Sequence, residues 1–178
     1  MMKFSTRARY GLRLMVELAR ELKKDRLVHL GKIAGITGVS ENYLAQLAMS
    51  LKNDGLLIGV SGKKGGYYLS RPASEIKISE IIKAVAGPIS LTDCVNNPDI
   101  CLNSSFCEAR MIWVIMSGSM IDILEKYSLE DLIDKEKLAE VVGDHSHLPL
   151  LFPDKLMAQA AGAKTDGCPV QNTGSGGL

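Results

Sequence analysis

Apolar side chains recur first at helical spacing, then in strand-like runs, then at helical spacing again. Tyr10, Leu14, Leu18 and Leu22 fall at four-residue steps, one stripe of a helix that Ser5 caps and that runs to about Lys23. Leu30, Ile33, Ala34 and Ile36 with Thr37 predict a short second helix, and Gly38 comes next, where the chain needs a positive φ. Ser40 caps a third helix carrying Tyr43, Leu44, Leu47, Met49 and Leu51, which Asn53, Asp54 and Gly55 end. Residues 56–60 and 66–70 read as two strands, joined by the glycine-rich turn of residues 61–65. A fourth helix spans about residues 78–86 and closes at Gly87-Pro88. A loop with three cysteines leads to a long apolar helix over about residues 105–127, and Ser128 caps a shorter one through about Val142. From about Gly143 the pattern fails, and the small, polar, glycine-rich end is expected to be disordered.

Two short helices around a tight turn, followed by a hairpin, predict a mainly α fold: a winged helix-turn-helix domain with a two-stranded wing, plus a long C-terminal dimerisation helix. The division expected is a DNA-binding domain over residues 1–90, a cysteine loop over 91–107, dimerisation helices over 105–143 and a tail over 144–178.

Charge sharpens this picture. Residues 1–73 carry 13 Lys/Arg against 5 Asp/Glu, whereas residues 74–178 carry 8 against 15. A near-neutral total therefore hides a basic half suited to a polyanion and an acidic half. Arginines interrupt every apolar stretch at the N-terminus, so no signal-peptide core is visible there. No apolar run reaches the roughly 18–20 residues of a membrane span. A soluble cytoplasmic protein without membrane association is expected, with its four cysteines reduced and available as ligands or reactive thiols.

The helix after a helix-turn-helix turn is the one presented to a major groove. Its leading exposed residues are expected to be Ser40, Glu41, Asn42, Ala45 and Gln46, with the Gln46 amide able to pair bidentately with adenine. Tyr43, Leu44 and Leu47 are expected to pack inward. In the turn that starts at Ser61, Lys63 and Lys64 form a compact positive point among glycines that let backbone approach a phosphate or enter a minor groove. Lys3, Arg7, Arg9 and Arg13 add candidate phosphate contacts, which give affinity without sequence information.

Cys94, Cys101 and Cys107 fall within 14 residues, separated by six and then five. Soft thiolates in a wrapping loop suit an iron–sulfur cluster, either [2Fe-2S] or [4Fe-4S]. Cys107 stands near the start of the long helix, where the positive end of the dipole stabilises a thiolate. Apolar filler and a redox-active thiol are the other readings of these cysteines. Three ligands leave a fourth position open; Asp93, Glu108, His145, His147 and Cys168 are the further candidate donors.

The segments FSTRARYGLRLM, VSENYLAQL, GLLIGVSGKKGGYYLSRP and SEIIKAVAGP, with the Cys94/Cys101/Cys107 triplet, together resemble the IscR/NsrR/CymR-type family of bacterial winged helix-turn-helix transcription regulators, over about residues 2–142. The resemblance implies a homodimer whose long helices pack through Met111, Ile112, Val114, Ile115, Ile121 and Leu124, with Gly118 and Ser119 allowing close approach. It implies that two recognition helices and two wings read a pseudo-palindromic site on double-stranded DNA. It also implies that gain, loss or modification of a cysteine-bound cluster changes DNA affinity. The chain departs from the family pattern at four positions. Ser61 stands where IscR-like members start the wing with Arg, and Ala45 where they carry Glu. Arg110 replaces their histidine ligand, and Arg9 stands where NsrR-like members supply a carboxylate. The fourth ligand is therefore unknown: an exogenous thiol, a water, or a residue from elsewhere in the dimer.

The function expected is that of a non-enzymatic DNA-binding regulator, a repressor, sensing iron–sulfur status, nitric oxide or redox state. One alternative keeps DNA binding but makes the sensor a thiol or a partner protein. Another is an electron carrier, which the basic N-terminal half and the missing nucleophile–base pair disfavour.

Overall fold

The computed structural model describes residues 5–23, 27–62 and 65–144. These divide into two compact units, one ending at Ile133 and one starting at Asp134.

In the first unit, helix α1 (Thr6–Leu22) starts where the Ser5 hydroxyl accepts from the Ala8 N–H at 3.1 Å. Leu14 and Leu18 of the expected stripe are fully buried, while Tyr10 and Leu22 lie at its margin; Ala8, Gly11, Met15 and Ala19 complete the inner face. Gly11 is required there, because a Cβ on it would sit 2.6 Å from Val85 Cγ2. Helix α2 (Leu30–Thr37) ends in Gly38 at φ 70°, the left-handed turn expected from its sequence. Helix α3 (Glu41–Asn53) is capped by Ser40, whose hydroxyl accepts from the Tyr43 N–H at 3.4 Å. Leu44, Leu47, Ala48 and Leu51 bury one face of α3 at helical spacing. An ion pair at 2.5 Å between the buried Glu21 and the more exposed Lys32 ties α1 to α2.

Strands β1 (Leu57–Val60) and β2 (Gly66–Leu69) form an antiparallel hairpin with Leu57 opposite Leu69 and Val60 opposite Gly66. Val28 exchanges both backbone hydrogen bonds with Tyr67, which fastens the hairpin to the segment before α2. A 3-10 turn (Ala73–Glu75) leads to helix α4 (Ile78–Ala86), whose Ile78, Ile81, Ile82 and Val85 join the core. Glu80 accepts from the Lys77 N–H at 2.8 Å and from Arg71 Nη2 at 2.5 Å, closing the N-terminus of α4.

The cysteine segment is more structured than the expected loop. It holds a short helix α5 (Asp93–Asn96) and 3-10 turns at Pro98–Ile100 and Ser104–Phe106. Helix α6 (Glu108–Lys126) begins three residues later than expected, with Cys107 as its cap. Helix α7 (Leu129–Ile133) returns Leu129 to the main core, where it is fully buried. The single helix expected from Ser128 to about Val142 is divided. In the second unit, Asp134 Oδ1 accepts from the N–H groups of Glu136 and Lys137 at 2.9 and 3.2 Å, and so caps a separate helix α8 (Lys135–Asp144). Aspartate favours caps over helix interiors, which explains the break.

Among the described residues no helix is long and apolar enough to cross a membrane. The expectation for the 144–178 tail lies, beyond Asp144, outside the described residues.

Candidate nucleic-acid interface and cysteine loop

The outer face of α3 carries Glu41, Asn42 and Gln46, all exposed, with Ser40 exposed at its start. Ala45 is half-buried between them. Tyr43 turns inward as expected and meets Tyr10 edge-on, ring centroids 6.0 Å apart. The outer face holds one more residue than the sequence reading named: Met49 is 58% exposed and continues the Asn42–Gln46 face at i+7 and i+3. That spacing was the available signal. A flexible thioether there can meet a thymine methyl.

The hairpin stands beside α3. Lys52, exposed near the end of α3, lays its stem over Gly59 of β1: a Cβ built on Gly59 would meet Lys52 Cδ at 3.7 Å. This adds a cation at the junction of helix and wing that sequence reasoning missed. Ser61 is exposed at the end of β1. Gly62 has φ 116°, and its carbonyl accepts from the Gly65 N–H at 2.8 Å. A Cβ on Gly65 would collide with the Val60 carbonyl, so glycine is needed for the chain to re-enter the hairpin. Lys63, Lys64 and Lys3 lie outside the described residues.

Arg9 is exposed on α1, its guanidinium 5.8 Å from the Tyr10 ring centroid. The Tyr10–Tyr43 contact joins this part of α1 to the first turn of α3. Arg7 is engaged differently: its Nε donates to the Val85 carbonyl at 2.7 Å and its Nη2 to Ser50 Oγ at 3.1 Å.

In the cysteine segment, Cys94 is half-buried with its Sγ 3.3 Å from Thr92 Oγ1, Cys101 is exposed, and Cys107 is half-buried at the head of α6. Two side chains of α6 hold the segment. Arg110 Nε donates to the Cys94 carbonyl at 2.9 Å, and the buried Ser117 hydroxyl accepts from the Leu91 N–H at 3.1 Å. Arg110 and Ser117 are seven residues apart, two turns on one face. Among the described residues no three His, Cys, Asp or Glu side chains are gathered closely enough to hold a metal ion. Asp93 and Glu108 are exposed and take no part in such a group. His145, His147 and Cys168 lie outside the described residues. Three thiols in one short segment are suitable donors for iron, but their present arrangement is not that of a formed site.

Ser117 is the buried residue of α6. Its outward side holds Met111, Ile112, Val114, Ile115, Met116 and Ile123, each at least 40% exposed. A contiguous apolar helix face of this length calls for a partner surface.

A capped helix after a glycine turn, set beside an antiparallel hairpin on a helical core, defines the winged helix-turn-helix class. The family model for Rrf2, described as an iron-dependent transcriptional regulator, matches residues 4–135, and the chain belongs to that family. Similar proteins include the HTH-type transcriptional regulator IscR of Photorhabdus laumondii, 31% identical over 80% of this chain and 85% of that protein. The HTH-type transcriptional regulator CymR of Bacillus subtilis is 34% identical over 74% of this chain and 89% of that protein. Among solved structures, CymR (YrzC), the global cysteine regulator of B. subtilis, superposes with TM-score 0.60 at 33% identity, covering 75% of this chain and 97% of that one. The structure of T. potens IscR gives 0.59 at 30% identity, covering 74% and 85%. The fold and family expected from the sequence are thus borne out, and the chain is a transcription regulator of the Rrf2 type.

Proposed function

We propose that two copies of this chain, joined through the outward faces of α6, read a pseudo-palindromic site on double-stranded DNA and repress transcription from it. The observation that carries this reading is the exposed polar stripe of a capped helix set directly beside a hairpin that has lysines in its turn sequence. Each α3 enters a major groove, with Gln46 on a base edge and Ser40, Glu41 and Asn42 around it. Ser61, Lys63 and Lys64 bring each wing to the backbone or the adjacent minor groove, and Arg9 meets phosphate. In this reading residues 1–90 bind DNA, 91–107 sense, 105–143 dimerise, and the protein is a cytoplasmic non-enzyme.

Cys94, Cys101 and Cys107 supply three ligands of an iron–sulfur cluster whose fourth ligand is not provided by Arg110. When bound, the cluster supplies redox and nitric-oxide sensitivity. The chain's own part is to hold Cys94 against α6 through Arg110 and to present Cys107 at a helix head. A second reading, thiol sensing by the same loop, is favoured by the exposure of Cys101 and by the ungathered thiols. Anaerobic purification with iron, sulfide and absorption measurements separates the two. Stoichiometric iron and sulfide that vanish on replacing the three cysteines by Ala support the cluster. An iron-free protein that cannot be reconstituted, yet loses DNA binding on thiol oxidation, supports the second reading.

A further inference from the structure

Arg7 lies exposed on the basic face of α1, yet its guanidinium is engaged by other parts of the chain. The last carbonyls of α4 lack helical partners and carry the negative end of its dipole. Lys83 O takes the Gly87 N–H at 2.9 Å, and Val85 O takes Arg7 Nε at 2.7 Å. A charged donor at a helix C-terminus is a strong form of cap. The other arm of the same guanidinium reaches Ser50 of α3 at 3.1 Å, and the Ser50 hydroxyl donates onward to the carbonyl of Gln46 at 3.4 Å. One turn along α1, Gly11 packs against the side chain of the same Val85. Val85 is thus held by two residues of α1, and Arg7 carries that fixed point across to Ser50 in the C-terminal part of α3. A planar fork with donors on separate arms suits this task; a single ammonium does not.

We infer that Arg7 is a positioning residue, which sets the orientation of the recognition helix against the end of α4, and not a phosphate contact. The inference rests on the reading of α3 as the DNA-reading helix. Movements of α6 have a short route to the same point. Its Ser117 holds Leu91, and only residues 86–90 separate Leu91 from Val85, with Gly87 at φ 85° among them.

The test uses the full-length protein and two probes: a duplex enriched from random DNA by the wild-type protein, and an unselected duplex of equal length. Each is titrated over a salt series with wild type, Arg7→Ala, Arg7→Lys, Ser50→Ala and the double variant Arg7→Ala/Ser50→Ala. Arg7→Ala should weaken the enriched duplex by about tenfold, the scale of one charged hydrogen bond, with the unselected duplex and the salt slope unchanged. Arg7→Lys should behave like Arg7→Ala. Ser50→Ala should shift binding in the same direction, and the double variant should lose no more than Arg7→Ala alone. Should Arg7→Ala lose the fold, Ser50→Ala, which leaves the Val85 bond in place, carries the comparison. Equal losses on both duplexes with a slope smaller by about 0.9 identify a phosphate contact and overturn the inference, as does no change at all. A wild-type protein that enriches no sequence overturns the reading of α3 itself, whereas normal enrichment with unaffected Arg7 and Ser50 variants overturns only the role of Arg7.

Discussion

Ile115 is the residue on which the dimer is most simply tested. It projects from the outward side of α6 and is 63% exposed in the single chain. Ile115→Ala removes three carbons, worth about 2.4 kcal/mol at ~0.8 kcal/mol per buried CH2. Only the fraction still exposed is available to a partner, which leaves about 1.5 kcal/mol per subunit. A two-fold interface counts each residue twice, so the dimer should lose about 3 kcal/mol, on the order of a 100-fold rise in dissociation constant. The chain's own core should be indifferent, because the lost carbons contribute little to it. Sedimentation equilibrium gives the association constant, and urea titration at high protein concentration gives the fold. A dissociation constant within threefold of wild type would refute α6 as the interface. So would monomeric unfolding at markedly lower urea, which would mean that Ile115 belongs to the intramolecular core.

Gly11→Ala should destabilise by about 0.5–2 kcal/mol: helix propensity favours Ala by up to ~1 kcal/mol, but overpacking against Val85 costs about 1–3 kcal/mol. Thermal unfolding checks this, and a stabilised Gly11→Ala would contradict the close α1–α4 contact. At Glu80, burial presses the carboxyl upward, but the Lys77 N–H and the Arg71 guanidinium outweigh it and hold the group below its ordinary 4.5. A depressed acid stabilises above its ordinary value and loses that contribution as pH falls through the lowered one. Urea midpoints of Glu80→Gln should therefore differ from wild type at neutral pH by under about 1 kcal/mol, given the 41% side-chain exposure, and converge with it in acid. Divergence toward low pH would contradict the pairing. Replacing Lys63 and Lys64 by Ala should weaken all duplexes alike and lower the salt slope by about 0.9 per phosphate lost, read by anisotropy over a salt series. Loss confined to one sequence would assign these lysines to base readout instead.

Where a local rule carries its own physical cause, the sequence was readable. Gly38 must be left-handed between α2 and α3, Ser40 caps α3, and α4 spans the residues its isoleucine spacing and Gly87 delimit. The apolar character of α6 was equally plain, but not all of its outward side: Leu124, expected at the dimer seam, packs against the chain's own core, while Met116 and Ile123 are exposed. Other features depended on contacts made at a distance. Asp134 prefers a cap to a helix interior, but its apolar neighbours Leu132, Ile133 and Leu138 keep the helical pattern running through it, and the N–H groups of Glu136 and Lys137 mark the break. Arg7 is indistinguishable from Arg9 in composition, while one grips the end of α4 and the other lies beside Tyr10. The start of the cysteine segment is fastened to α6 by Arg110 and Ser117, 16 and 26 residues from their partners, beyond any local pattern.

Selection of bound duplexes from a random pool, performed in parallel with wild type and Gln46→Ala, tests most directly whether the outer face of α3 reads sequence. Wild type should enrich an inverted repeat with half-sites about one helical turn apart. Gln46→Ala should relax one symmetry-related pair of positions, with a loss of about 1–3 kcal/mol there and unchanged binding to random DNA. An identical motif from both proteins, or no motif from wild type, would contradict sequence reading by α3.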